Sequence, residues 1–269
     1  MKKLHVLGVP LLVTDYEELA ALCLGWVREP RCRLVEFVNT QIVTMQRHEP
    51  AFAATMRAYE EQVPDGMPLI WCLNRAGAKL RDRVYGPTFM RRFLERVPAG
   101  TTHYLLGGSE ECGAKLRAVF TRLNPNVKFV GSFHGWCQAD GTLKGEAEEK
   151  VIAELNQLSP DFIWVGFGTP KQQVWAQKHK HLIRRGVILT VGFAFDANAG
   201  TKPDAPAWMQ RCALTWLYRM CSEPRRLIPR YFKWNSLFLF YLLRDGLWRR
   251  AWGKQPLILL SIIVALVIQ

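Results

Sequence analysis

The sequence has no C-x-x-C pair and no His spacing that would complete a zinc site with its cysteines. Its seven cysteines, Cys23, Cys32, Cys72, Cys112, Cys137, Cys212 and Cys221, are scattered through apolar stretches and read as reduced core residues of a cytosolic protein. No G-x-G-x-x-G follows the first strand, because Leu7-Gly8-Val9-Pro10 lacks the second and third glycines, which argues against a nicotinamide or flavin enzyme. G-x-x-x-x-G-K-[ST] is missing too, which argues against a P-loop nucleotide hydrolase. So is Asp-x-Asp, the pair that often holds a metal-bound nucleotide diphosphate. Asp15-Tyr16-Glu17 comes nearest, and a helix cap with first-turn acids explains it better. Without a carboxylate cluster, neither a metal site nor a cofactor is expected.

Two further absences concern membranes. Met1-Lys2-Lys3 followed by Leu4 to Val13 imitates a signal peptide, but Thr14-Asp15-Tyr16-Glu17-Glu18 follows at once with no small-residue cleavage site. A first strand leading into a helix capped by Thr14 or Asp15 is the better reading, with no export. At the other end, Leu257 to Ile268 is apolar except for Ser261. As a helix it would reach only about 18 Å, short of the roughly 30 Å hydrocarbon core. Internal repeats and low-complexity segments are also lacking.

What the chain does have is a core and a localised charge. About half of its 269 residues are hydrophobic, enough for one large domain plus an appendage. The formal charge is +13, and from Thr201 onward eleven Lys or Arg face three Asp or Glu, so +8 lies in the last quarter. Such a surface calls for an anionic partner: nucleic acid, anionic lipid or a phosphorylated substrate.

Leu34–Val38, Thr102–Leu106, Val127–Val130, Phe162–Val165 and Val187–Gly192 read as strands, and 41–56, 110–123, 145–158 and 170–184 as helices. This alternation predicts an α/β, Rossmann-like domain over 1–200, its largely parallel sheet flanked by helices on both faces. Ligands of such sheets sit at the carboxyl ends of the strands. Those ends carry Asn39-Thr40, Gly107-Gly108-Ser109, Gly131, Gly166 through Gln172, and Asp196 through Gly200.

From Thr201 the pattern turns helical: Ala205–Cys221, a break at Glu223-Pro224, then a helix from about Arg230 to Trp248. On that last helix Trp234, Leu237, Phe238, Tyr241 and Leu242 share a face, and Arg230, Lys233, Arg244, Arg249 and Arg250 cluster toward its ends. The pattern fits a helix in a membrane interface; a core helix packed on the domain is the alternative. Residues 201–254 are thus expected to be a basic helical membrane-associating appendage and 255–269 an apolar tail.

For chemistry, Asp65 in Val63-Pro64-Asp65-Gly66 is a carboxylate on a tight turn at a strand end. A carboxylate partly desolvated there can be tuned as a general base. Arg219, Arg225, Arg226 and Arg230 suit phosphate oxygens by their planar forks. A solvated or lipid-facing basic surface is the other reading of these arginines. His134 could donate to a phosphate and Trp136 stack on a base, and both also fit an ordinary half-buried loop.

Phe37-Val38-Asn39-Thr40, Pro64-Asp65-Gly66, Arg83-Val84-Tyr85-Gly86, Leu105 through Gly108, Gly166 through Gln173, Val191-Gly192 and Arg211 through Arg226 occur in one order. Together they make the chain resemble the WecG/TagA/CpsF family of bacterial glycosyltransferases, from about Leu4 to Arg250. Thr215-Trp216-Leu217-Tyr218-Arg219 departs from a family segment at its first residue, and Thr88 stands where the family often has an acid.

The resemblance implies inverting, metal-independent transfer of N-acetylmannosamine, its uronic acid or glucose. The sugar would pass from a UDP-sugar to a polyprenyl-diphosphate-linked saccharide at the cytoplasmic face of the bacterial inner membrane. It places the base on Asp65, an active-site polar pair on Asn39 and Thr40, a pocket glutamine on Gln172 and a nucleoside-side acid on Asp196; Arg83, Gly107, Gly108 and Trp136 are expected as further substrate contacts. Diphosphate contacts fall on Arg219 and Arg226, with Arg225 and Arg230 beside them. The expected partners are the UDP-sugar, the lipid-linked acceptor and an anionic membrane surface, with homo-oligomerisation open and no nucleic acid. The rival classes are a non-catalytic membrane adaptor of a polysaccharide assembly complex and a nucleic-acid-binding protein.

Overall fold

A computed structural model describes residues 1–144 and 146–245. The chain opens on a hairpin where a single strand was expected: β1 (Lys3–Val6) and β2 (Val9–Leu12) pair antiparallel as a separate two-stranded sheet. Leu7 and Gly8 turn the chain with φ of 52° and 87°, the positive pair that matches the twist of a two-residue hairpin. Asp15 caps α1 (Tyr16–Trp26), accepting from the N–H groups of Glu17 and Glu18.

β3 (Cys32–Val38) leads into α2 (Thr40–His48), with Asn39 as cap. The single helix expected over 41–56 is two. Pro50 disfavours helical geometry at Glu49, which is extended, and α3 (Pro50–Met56) starts afresh with proline in its first turn. β4 (Glu61–Pro64), α4 (Met67–Arg75) and α5 (Gly86–Arg96) follow, none of them expected from the sequence pattern. The rest of the domain is β5 (Thr102–Gly107), α6 (Glu110–Leu123), β6 (Lys128–Phe133), α7 (Ala147–Leu158), β7 (Phe162–Gly166) and α8 (Lys171–His179). A 3₁₀ turn at Lys180–Leu182, β8 (Gly186–Thr190) and α9 (Ala194–Ala199) complete it.

The main sheet is parallel throughout, in the order β4-β3-β8-β7-β5-β6, so all six carboxyl ends open on one rim. One apolar cluster lies on the face of Leu34, Val38, Ile163 and Ile188; the other lies on the face of Val35, Phe37, Trp164 and Leu189. The expected α/β class with a parallel sheet between helices is the architecture observed.

After Gly200 come α10 (Ala207–Arg211), α11 (Thr215–Ser222) and α12 (Pro224–Arg244). The helix expected over Ala205–Cys221 is broken at Ala213, which has φ 61°. The last helix starts at Pro224 rather than Arg230; its expected end at Trp248, Arg249, Arg250 and the 255–269 tail lie outside the described residues.

The face assigned to a membrane is corrected. Trp234, Phe238, Tyr241 and Leu242 are buried, and α12 packs on α2. The Tyr241 hydroxyl meets His48 Nδ1 at 2.8 Å, Arg47 Nη2 donates to Asp245 Oδ2 at 3.3 Å, and the Thr40 hydroxyl donates to Asn235 Oδ1 at 3.0 Å. An amphipathic helix carries the same signal whether its apolar face meets lipid or protein. The outward side holds Ile228, Phe232, Phe240 and Leu243, each about half exposed, beside the exposed Arg225, Arg226, Lys233 and Arg244. No helix among the described residues is long and apolar enough to cross a membrane. The cysteine reading is corrected in part: none of the seven is in a disulfide, but Cys212 and Cys221 are exposed.

Candidate active site

β4 adds to the edge of β3 in register Val38↔Pro64, and the Asp65 N–H donates to the Val38 carbonyl at 2.8 Å. That bond extends the ladder one residue and sets Asp65 at the rim beside the cap of α2. Gly66 packs against the same cap: a Cβ there would be in ordinary van der Waals contact, 3.8 Å from Asn39 Cα and 3.9 Å from the Thr40 nitrogen. Asn39 itself is committed to its helix, its Oδ1 accepting from the Ile42 N–H at 3.1 Å.

Asp65 is half-buried as a residue, but its Oδ1 is shut off from solvent and has no hydrogen-bond partner. Burial pushes the carboxyl up to about 7, against the pull of Arg83, the Gly86 backbone N–H and Arg219, with Asp204 pushing the same way as burial. A carboxylate held near neutrality at a rim is poised to take and give a proton.

Cations surround it from two directions. Arg83, only 9% exposed, donates to the Thr215 hydroxyl at 2.8 Å and lies 4.4 Å from the centre of the Tyr85 ring. Arg219, from α11, stands 3.6 Å over the Phe193 ring and bears on Asp65 through space. The Tyr85 hydroxyl donates to Asp204 Oδ1 at 2.8 Å. Its own ionisation is driven well up, by burial first and then by Asp204 and Asp65, so Tyr85 remains a donor. The sequence assigns no role to Tyr85 or Asp204. Their signal was spatial: α5 and the segment after Gly200 meet only in the fold.

The other expected residues fall into three places. Gly107 and Gly108, at the end of β5 with φ of 105° and 73°, press on Phe167 and Phe195, where a Cβ would come within 2.9 Å and 3.3 Å. Asp196 lies close by on α9, bonded by the Thr201 hydroxyl at 2.8 Å and paired with Lys202 at 3.3 Å. Gln172 is buried at the start of α8; its Oε1 accepts from the Gly168 N–H at 3.0 Å, and a Cβ on Gly192 would come within 3.2 Å of that oxygen.

Trp136 is 81% exposed above β6, with the Lys171 ammonium 5.9 Å from its ring. His134 is also exposed, 3.8 Å from Glu110. Arg230 donates to Gln41 on α2, Arg226 is held by Glu223 at 2.6 Å, and Arg225 is exposed on the first turn of α12. Asn39, Thr40, Arg83 and Arg219 therefore gather around Asp65, Gln172 sits between the ends of β7 and β8, and Gly107, Gly108 and Asp196 form a second group. No cluster of three or more His, Cys, Asp or Glu suited to a metal ion occurs among the described residues. A cavity of about 530 Å³ beside the hairpin, lined by Arg47, Arg57, Gln46 and Gln62, contains none of these side chains.

Comparison with known proteins gives consistent results. The sequence profile described as the glycosyl transferase WecG/TagA/CpsF family matches residues 4–252. An N-acetylglucosaminyldiphosphoundecaprenol N-acetyl-beta-D-mannosaminyltransferase of Staphylococcus aureus (strain MRSA252) is 28% identical over 197 residues, 70% of this chain and 74% of its own length. The protein of the same name from Bacillus subtilis (strain 168) is 27% identical over 206 residues, 74% and 77% of the two chains.

Proposed function

The chain belongs to the WecG/TagA/CpsF family of glycosyl transferases, and on that premise we propose that it moves a sugar from a UDP-sugar to a polyprenyl-diphosphate-linked saccharide, with inversion and without a metal. The relatives' names, which specify transfer to a diphosphoundecaprenol-linked N-acetylglucosamine, support the acceptor class. The single observation that carries the mechanism is the partnerless Asp65 oxygen, on an acid raised to about 7 between Arg83 and Arg219.

In this reading the acceptor hydroxyl attacks the anomeric carbon from the face opposite UDP. Asp65 takes the hydroxyl proton as the new C–O bond forms, and the C–O bond to the diphosphate breaks with its electron pair staying on phosphate. Arg219, Arg83 and, from α12, Arg226 and Arg230 carry that developing charge, the task a metal performs elsewhere. Asn39, Thr40 and Gln172 orient the sugars; Gly107, Gly108, Asp196 and the exposed Trp136 serve the nucleotide. The donor is N-acetylmannosamine, its uronic acid or glucose.

The segment 201–254 brings the acceptor. Its outward apolar residues and exposed basic side chains on α12 support a peripheral or monotopic position on the anionic cytoplasmic face of the inner membrane. The test is a panel of UDP-sugars offered with a polyprenyl-diphosphate saccharide in the presence of chelator, the product anomer read by NMR. An inverted glycosyl product from one donor is the expected result. Absence of both UDP binding and product would replace the enzyme by an adaptor, and transfer that needs added divalent ion would remove the cation argument.

A further inference from the structure

The interior of the sheet holds a second acid that the mechanism above does not use. Glu36 lies in the middle of β3, 1% exposed, on the face of Leu34 and Val38. Gln173 Nε2 donates to its Oε1 at 2.9 Å and also to the Thr169 hydroxyl at 3.1 Å, so both amide hydrogens are used. The other carboxyl oxygen, Oε2, is in short contact with the Thr190 hydroxyl, which also lies 3.0 Å from the Val35 carbonyl.

That pair of contacts can be counted in protons. A threonine hydroxyl has one hydrogen, and a carbonyl can only accept. If Thr190 donates to Val35, the hydrogen between Thr190 and Glu36 must come from Glu36. An ionised Glu36 would instead draw the Thr190 hydrogen away from the carbonyl and leave a buried charge with no cation against it. The titratable groups that face it are Tyr59, from the segment between α3 and β4, and Asp65, beyond β4. β8 presents Thr190 and α8 presents Gln172 and Gln173, all uncharged. Burial is the first cause raising this acid, to about 8, against the bonds from Thr190 and Gln173.

We propose that Glu36 is a positioning residue for the transfer: a carboxylic acid held neutral, which ties β3 to β8 and, through Gln173 and Thr169, fixes the β7–α8 loop that carries Gln172. Gln172 and Gln173 are adjacent on α8, and the loop's Gly168 N–H is the donor to Gln172. The bonds of Glu36 thus settle where Gln172 stands without touching substrate. The inference rests on the transferase reading only for its effect on turnover; the protonation of Glu36 does not depend on it.

Glu36→Gln and Glu36→Val in the full-length protein test this. Glutamine reproduces a neutral acid, donating to Thr190 and accepting from Gln173, whereas valine makes neither bond. An acid raised in the folded state makes stability fall as pH climbs from the ordinary glutamate range to about 8. Thermal melts from pH 5 to 9 should therefore show the parent losing ground to Glu36→Gln across that window. In transfer assays at pH 7 the glutamine variant should stay within about threefold of the parent, and the valine variant should lose about tenfold or more, mainly through KM, as for a lost pair of buried bonds. Above about pH 8 the parent should fall while Glu36→Gln does not. A pH-independent difference in melting would show Glu36 ionised and overturn the proposal. A glutamine variant as slow as valine, but stable, would overturn the positioning role. If no form transfers sugar, the function above fails, while the melts still decide the protonation.

Discussion

Asp65 and Glu36 are carboxyls of neighbouring strands, both raised by burial, to about 7 and about 8. Their surroundings differ. Asp65 looks toward the Phe37 side of the sheet, where Arg83 and Arg219 bear on it and one oxygen is left without a partner; Glu36 looks toward the Leu34 side, where an amide and a hydroxyl partner both of its oxygens. The unpaired acid near cations can exchange a proton with something that arrives. The fully bonded one can only hold its neighbours. Desolvation alone does not mark a catalytic acid; a carboxyl oxygen left without a partner beside cations does.

The sharpest way to break this contrast is Asp65→Asn, which should cut turnover by about 10²–10⁴-fold, the usual worth of a general base, in single-turnover assays with the fold intact by circular dichroism. Near-parent turnover would remove Asp65 from the chemistry. Because its folded pKa is raised, Asp65→Asn should also melt higher than the parent above pH 7, since the parent alone loses stability as pH rises through that value.

Arg219→Met should slow transfer by about 10²-fold. It should also shift the acid limb of the kcat/KM profile above its parent midpoint near 7, because the cation that pulls the Asp65 pKa down is gone. A slower enzyme with an unmoved limb would confine Arg219 to phosphate binding.

Replacing Phe232 and Phe240 together by serine should lower co-sedimentation with anionic vesicles by about tenfold or more, as expected for losing two apolar insertions. Transfer to a short-chain soluble acceptor should be unaffected, since both rings are exposed on the outward side of α12. The smallest effect belongs to Asn235→Ala, which removes the bond to Thr40. A loss of about 0.5–1.5 kcal/mol, or a few-fold in kcat/KM, with an unchanged pH profile is expected.

Much of the fold was legible because β7 and β8 are nearly unbroken apolar runs, and β3 and β5 largely apolar ones, between helix-length segments. β4 was hidden by its brevity and by Glu61 and Gln62, an adjacent polar pair that shows no apolar-polar alternation. α4 and α5, which carry Pro68 and Pro87 in their first turns, where proline is favoured, lie in a stretch the sequence pattern left unassigned. In the site, Asp65 stood out as the acid of a Pro-Asp-Gly turn. Glu36 left a local trace, a charge inside a buried strand, that only a tertiary partner list turns into a role. Asp204, Tyr85 and Asn235 left none, since their meaning lies in contacts across the fold.

The bond between Thr40 and Asn235 spans 195 residues of chain. At synthesis rates of about 5–20 residues per second, α2 waits roughly 10–40 s after it is made before α12 exists to cover it. During that interval the sheet can form but the apolar side of α2 that receives Trp234 and Phe238 stays bare. A chain stalled before α12 would expose that apolar side of α2, the kind of transient surface on which partly made proteins aggregate.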